Sequence, residues 1–386
     1  MSRNLEVAVV GAGIIGACLA DALVRAGASV TVIDRARPGS GTSGSSLAWL
    51  NANRKLPRHY HDLSARSLAD WRQLAAAFGE PDWYVPSGSL TWAEVFAETG
   101  AGTEAEPAAG PGAGELTERL ERLTAWGYAA EQLTAHQAAE LEPSLRIPAG
   151  AHVAFFPGES FVHGHLAVEA LLARAAPRLI VADGDVTFEG DGAGITAVRL
   201  PGGERVQADV YVCCAGWRTA RLLEPLGVSI PLTGAGEAGS AAPCLVTRTS
   251  GAGQVNRVVN APGLTLRPLP RRGLQLEASD INERVDLGTG RNDLDRHGTE
   301  LLRRAGAAVH GFEAGEAQHR LCVRPLPVDG HPIVGWVPAL PNAYVSVTHS
   351  GMTLAPALAR LAAAEILGGE AGDDLRPYRP TRFAQV

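Results

Sequence analysis

The chain opens on Leu5-Glu6-Val7-Ala8-Val9-Val10-Gly11-Ala12-Gly13-Ile14-Ile15-Gly16, an apolar, largely β-branched run that breaks into three closely spaced glycines. An Ala/Leu-rich segment closed by Gly27 follows, and a second apolar run, Ser29 to Ile33, stops at Asp34. β-Branched residues favour extended chain, glycines a tight turn and Ala/Leu a helix, so the predicted order is strand, turn, helix, strand. Asp34 comes 23 positions after Gly11. In a dinucleotide-binding βαβ unit the first glycine makes the turn, the second admits a pyrophosphate and the third lets the helix pack closely. An acid about 20 residues on then meets the ribose. These residues alone do not separate FAD from NAD, and a plain packing turn is the alternative reading.

Working outward, 386 residues exceed the roughly 150 expected of one domain, so two domains or one large α/β body are predicted. Apolar residues at 46% against 19% charged exclude a mostly disordered chain. The net charge of −7 and the lack of a basic run argue against nucleic acid, leaving a small molecule as the expected partner. Lys55 is the one lysine; every other positive residue is an arginine. Five irregularly spaced cysteines predict reduced thiols, and no His or Cys spacing suggests a metal. No window is long and apolar enough for a membrane span, and Met1 to Glu6 passes into the first strand without a signal-peptide core. A cytoplasmic location is therefore the expectation.

Between Arg58 and Phe78, Tyr60, Leu63, Ser67, Trp71, Leu74 and Phe78 recur at helical spacing, which turns His59 and His61 away from the packed face. Residues 97–115 are almost entirely Ala, Gly, Glu, Thr and Pro and read as a mobile surface insertion. Thr134 and Gln137 make a capping-box pair, and another helix is expected to begin near Gly164. From Leu179 to Gly216 short strands alternate with turns and return to the first sheet; Leu264 to Leu276 reads as a hairpin and Asp293 to Ala305 as a helix. The strand Ala343 to Val347 leads through Thr348-His349-Ser350-Gly351-Met352-Thr353 into a helix ending at Leu367.

Further segments carry a family signature: Gly39-Ser40-Gly41-Thr42-Ser43-Gly44-Ser45-Ser46-Leu47, Cys213-Cys214-Ala215-Gly216-Trp217, Arg324-Pro325 with Asp329-Gly330, and His349-Ser350-Gly351. In order and spacing, together with Gly11 to Gly16 and Asp34, they resemble the D-amino-acid oxidase family of FAD enzymes, in the branch of glycine oxidase and monomeric sarcosine oxidase. The resemblance is good over residues 5–75 and 318–367 and poor over 226–317. It implies an α/β fold, a Rossmann-like FAD/NAD(P)-binding domain interleaved with a mostly antiparallel β-sheet substrate domain. Residues 1–80, 151–225 and 318–386 would build the FAD-binding domain, and 81–150 and 226–317 the substrate domain.

The resemblance also implies roles. Gly11, Gly13, Ile14, Ile15, Gly16, Asp34 and Arg35 would hold the nucleotide end of FAD; Thr42, Ser43, Ser46 and Leu47 would follow its phosphates. Val186 would pair with adenine, and Ala215, Gly216 and Trp217 would pass beside the flavin. Ser350, Gly351, Met352 and Thr353, opening the last helix, would aim free N–H groups at the flavin edge where negative charge gathers on reduction. Arg324 would fork a substrate carboxylate while lying against the cofactor. Catalytic candidates are Arg324, His349 and Met352; Trp49, Asn51, Asn53, Arg324 and His349 are the substrate-binding candidates.

Cys322 aligns with the cysteine that carries covalent flavin in the sarcosine-oxidase branch, so non-covalent FAD is expected with attachment at Cys322 as the alternative. The sharpest departure is the family's histidine and lysine after the Ser-Gly pair, replaced here by Met352 and Ala355. With Lys55 the one lysine, oxygen activation is in doubt, and an arginine or one of His349, His59, His61, His163 and His165 would have to substitute. The expected reaction is oxidation of an amine or amino acid (secondary or N-methyl, imino or D-amino acid) to an imine by hydride transfer to flavin N5. Hydrolysis and reoxidation by O2 follow. The alternatives are a dehydrogenase using another acceptor, a hydroxy-acid oxidoreductase and a non-catalytic flavin-binding protein.

Overall fold

In the computed structural model, which describes residues 4–93, 112–234, 242–251, 255–270, 273–369 and 372–383, the opening strand Glu6–Val10 is enclosed on both edges. Val7 faces Val30 of strand Ser29–Asp34 on one side and Val210 of strand Val210–Cys213 on the other, both parallel. Strands covered on both faces need apolar residues throughout, which is why this run is uninterrupted Val and Ala from Val7. Strand Arg178–Val181 extends the parallel set beyond Ser29–Asp34, and Leu340–Val347 extends it beyond Val210–Cys213. Ile333–Val337 adds an antiparallel edge, completing six strands. Helix Ile14–Arg25 packs against Gly164–Ala175 and against the last long helix, Gly351–Ile366, which in turn meets Arg58–Ala77.

The second sheet has eight strands, antiparallel throughout save one pairing, Val258–Ala261 on Ser89–Ala93. Its order runs Ala317–Val323, Pro243–Thr249, Gly273–Glu277, Leu264–Leu269, Val258–Ala261, Ser89–Ala93, His152–Phe156 and Glu131–Leu133. Helix Arg291–Ala308 lies against it, burying Leu301 and Ala305 in a core with Leu266, Leu274 and Leu276. A Rossmann-like sheet interleaved with a mostly antiparallel one is therefore the observed fold.

The meander, capping box, helix near Gly164 and paired strands Leu264–Leu269 and Gly273–Glu277 follow the sequence. Three particulars differ. His152–Phe156 and most of Ala317–Val323 fall inside stretches assigned to the FAD-binding domain, yet both pair within the eight-stranded sheet, because each supplies the edge its neighbour lacks. His61 does not turn outward: it is 2% exposed, with Nδ1 2.9 Å from the Ala52 carbonyl and its ring against Trp126 and Tyr128. Of the proposed insertion 97–115, residues 97–111 lie outside the described residues, and 113–115 open helix Ala113–Ala125.

Candidate active site

The glycine turn is dictated by close backbone approach. Gly11 has φ +112°, and a Cβ there would lie 2.4 Å from the Cys214 carbonyl oxygen; at Gly16 it would lie 1.9 Å from the Gly11 carbonyl oxygen. No side chain fits at either. Gly13 differs, since its added carbon would meet only Ser43 Oγ, at 3.1 Å. Asp34 ties the turn to the second strand: Oδ2 accepts from the Ala12 N–H at 2.6 Å and Oδ1 from the Ala36 N–H at 3.0 Å. Burial nevertheless pushes its carboxyl above the usual range. The segment after the second strand closes over the turn, with Ser43 Oγ accepting from the Ile14 N–H at 2.9 Å and Thr42 Oγ1 donating to the Val323 carbonyl. Ser46 Oγ is shielded from solvent and has no partner among the described residues.

From this turn a cavity of about 730 Å³ runs to the start of helix Gly351–Ile366. Asp34, Arg35 and Val186 line it together with Gly11, Gly13, Ile14 and Ile15; Thr42, Ser43 and Ser46 follow. Ala215, Gly216, Trp217, Arg324, His349, Gly351 and Met352 also line it. Sequence reasoning missed Asp185, Arg218 and Thr348 in the same wall. Asp185 joins Arg35 at 2.8 Å and Arg218 at 3.3 Å, and adjacency to Val186 and Trp217 was the only signal for them.

Eight of the candidates lie outside the cavity wall, and their contacts say what they do. Gly16 packs under the turn, and the Leu47 carbonyl accepts from the buried Arg267. Cys322 lies directly opposite Cys244 in the eight-stranded sheet. Trp49 Nε1 and Asn53 Nδ2 both donate to Glu159, at 2.9 and 2.8 Å, while Thr353 Oγ1 bridges the Asn51 N–H and the Trp49 carbonyl at 3.4 Å each. Glu159, 1% exposed, also accepts from Ser89 and Tyr128, so this layer braces the wall from behind.

Ser350 is the eighth, and it stands one step behind His349. Its Oγ is 3.1 Å from His349 Nε2 and receives Lys55 Nζ at 2.8 Å and the Tyr60 hydroxyl at 2.9 Å. Burial, with Lys55 and Arg324 nearby, lowers the His349 pKa to about 3, so the imidazole is neutral. Burial and Arg54 bring Lys55 down to about 8, leaving it a cation at neutral pH. Burial raises the Tyr60 hydroxyl to about 12. Arg324 Nη1 is 3.6 Å from Glu277 Oε1.

The residues present fit FAD. A cradle that a Cβ would fill, helix N–H groups beside it, an unpartnered Ser46 hydroxyl and one cavity continuing to a second helix N-terminus suit a long, doubly phosphorylated cofactor. Among the described residues no group of three or more His, Cys, Asp or Glu gathers as a metal site, and no helix is long and apolar enough to cross a membrane.

A nucleotide turn at the switch point of a parallel sheet, opening into a cavity that ends at a second helix N-terminus, defines the class: a flavin-dependent oxidoreductase. The chain belongs to the DAO family of FAD dependent oxidoreductases, whose family model matches residues 6–365. It is 26% identical to the D-amino acid dehydrogenase of Methylobacterium nodulans over 94% of this chain and 96% of that protein. To the glycine oxidase of Geobacillus kaustophilus it is 25% identical over 99% and 98%, and the crystal structure of glycine oxidase from that organism superposes with a TM-score of 0.78 at 23% identity, covering 99% of each chain. The iminodiacetate oxidase of Chelativorans has the same fold, with a TM-score of 0.76, 22% identity and coverage of 97% and 98%. The protein is an FAD-dependent oxidoreductase of the amino-acid oxidase or dehydrogenase type.

Proposed function

We propose that this enzyme oxidises a small secondary, N-methyl, imino or D-amino acid to its imine, which water hydrolyses to a carbonyl compound and an amine. The supporting observation is that Arg324, His349 and Gly351 line the same cavity as Gly11 and Gly13. Arg324 offers a planar fork matched to a carboxylate, which would orient the α carbon. His349, neutral with a pKa of about 3, acts as a hydrogen-bond partner and takes no proton from the substrate. The amine therefore enters the reactive state uncharged, its proton having gone to solvent. The first-turn amides of Gly351–Ile366 have no intrahelical acceptors and present positive partial charge to the cavity. FAD, which Gly11, Gly13, Ser43 and Ser46 would hold along its nucleotide end without a covalent bond, would supply the hydride acceptor for the α carbon and the route for the electrons to O2. Contributions from the chain are orientation and charge placement.

A dehydrogenase delivering electrons to a quinone or a protein is the second reading. It is favoured by the position of Lys55, which bonds Ser350 behind the wall and does not line the cavity. Anaerobic bleaching of the purified yellow protein by a panel of N-methyl, cyclic imino and D-amino acids is the test. Full reduction by at least one class is expected, and a flavin that none of them reduces would remove the proposal. Peroxide formed per imine in air then separates the two acceptors.

A further inference from the structure

One row of side chains crosses the eight-stranded sheet behind the cofactor cavity. Gln275 faces Arg248 on one neighbouring strand and Arg267 on the other. Its Oε1 accepts from Arg267 Nη2 at 2.9 Å and from Arg248 Nε at 3.2 Å. A guanidinium donates and never accepts, so the oxygen end of the amide is fixed by its neighbours and the NH2 end must point the other way. There Nε2 donates to the Ser45 carbonyl at 3.1 Å and to the Ser46 carbonyl at 2.6 Å. The same row holds the flanking carbonyls, Arg248 Nη2 donating to that of Gly44 and Arg267 Nε to that of Leu47. Four consecutive carbonyls of the segment after the second strand are thus turned onto the eight-stranded sheet.

The other side of that segment, at Gly41, Thr42, Ser43 and Ser46, lines the cavity that Gly11 and Gly13 also line. Residues 39–46 are glycine and serine apart from Thr42, so the segment has no apolar core of its own to fix its shape. Its shape is set from outside, and a carbonyl that swung back toward the cavity would bring partial negative charge against a phosphate. Gln275 is 0% exposed and Arg267 2%, so water cannot replace a lost donor. We propose that Gln275 is a positioning residue for FAD: aimed by Arg248 and Arg267, its amide holds the Ser45 and Ser46 carbonyls on the sheet, and with them the cavity-facing side of the segment in the shape that retains the cofactor. This role requires FAD and holds whichever substrate is oxidised.

The test follows flavin fluorescence after dilution of the FAD-loaded enzyme. Gln275→Met keeps the size of the side chain without its amide, and Gln275→Glu keeps an acceptor for both arginines while turning oxygen toward the two carbonyls. Each is expected to release flavin roughly 10- to 100-fold faster than the native enzyme, the loss implied by a buried carbonyl left without its donor. Both are expected to keep the native circular dichroism, and excess FAD is expected to refill them and restore the flavin absorbance spectrum. Release at the native rate in either variant overturns the proposal: an effect confined to Gln275→Glu is one of charge, and an effect confined to Gln275→Met belongs to the arginine row. Flavin loss that excess FAD does not reverse marks Gln275 as a support of the fold and likewise overturns it.

Discussion

Arg324 Nη1 stands 3.6 Å from Glu277 Oε1, so the arginine proposed for the substrate carboxylate already faces a carboxylate of the protein. Asn282 Nδ2 pins that same oxygen at 3.0 Å. The pair is partly solvated, where such contacts are worth about 0–1 kcal/mol, and an incoming carboxylate can displace it. Glu277→Gln is therefore expected to lower KM for carboxylated substrates a few-fold. Arg324→Ala is expected to lower kcat/KM for them by roughly 10- to 100-fold while sparing simple amines. Steady-state kinetics on matched pairs with and without the carboxylate checks both.

Lys55 supplies the pH dependence. Its pKa is lowered to about 8, so its charge is complete below that pH and is lost as pH rises through it. KM for amino acids is expected to rise above pH 8, with that limb absent in Lys55→Met. His349, at about 3, contributes no limb near neutrality, and the other groups around Lys55 are Arg54, Arg324 and Glu159. A KM–pH profile of both proteins between pH 6 and about 10 is the measurement, spanning the lysine range.

Gly11 and Gly13 predict opposite phenotypes. Gly11→Ala places a carbon against the Cys214 carbonyl at a positive φ and is expected to yield little folded protein. In Gly13→Ala the carbon meets only the Ser43 hydroxyl, so the protein should fold and retain FAD weakly. Soluble yield and flavin content per chain distinguish the two.

Glu159 predicts stability without chemistry. Its carboxylate accepts from Trp49, Asn53, Ser89 and Tyr128 side chains and from the Ala52 and Asn53 amides, so Glu159→Ala orphans buried donors at a cost of about 3 kcal/mol. Glu159→Gln is no conservative change, because an NH2 group then faces donors; about 2 kcal/mol is expected. Denaturant melts of the holoprotein check both values.

Cys322 faces Cys244 across two paired strands and lies outside the cavity wall. Acid precipitation of the native protein is expected to release all the flavin to the supernatant, as it should from Cys322→Ser.

How much of this was legible depends on the range of the physics. The strand, glycine turn and Asp34 could be read because each requirement acts within a few tens of residues. Tyr60 was read correctly as a packing residue, yet nothing local showed that its hydroxyl would reach Ser350, 290 positions away. His61 was turned outward by helical spacing, because no periodicity anticipates Trp126 and Tyr128 closing over it. Glu159 carried no motif at all, since its meaning comes from donors on three other segments, residues 49–53, Ser89 and Tyr128.

Local spacing and residue type determined the nucleotide turn, the α/β class and the run of residues opening the last helix, since backbone geometry and hydrogen-bonding capacity are properties of short segments. Which side chains act together was decided only by the tertiary structure. Lys55 and Ser350 are separated by 295 positions, and their 2.8 Å contact exists because two sheets fold the segment after the first βαβ unit onto the start of the final helix. Charge and burial at His349 follow from that packing, which is a property of the assembled core and of no segment within it.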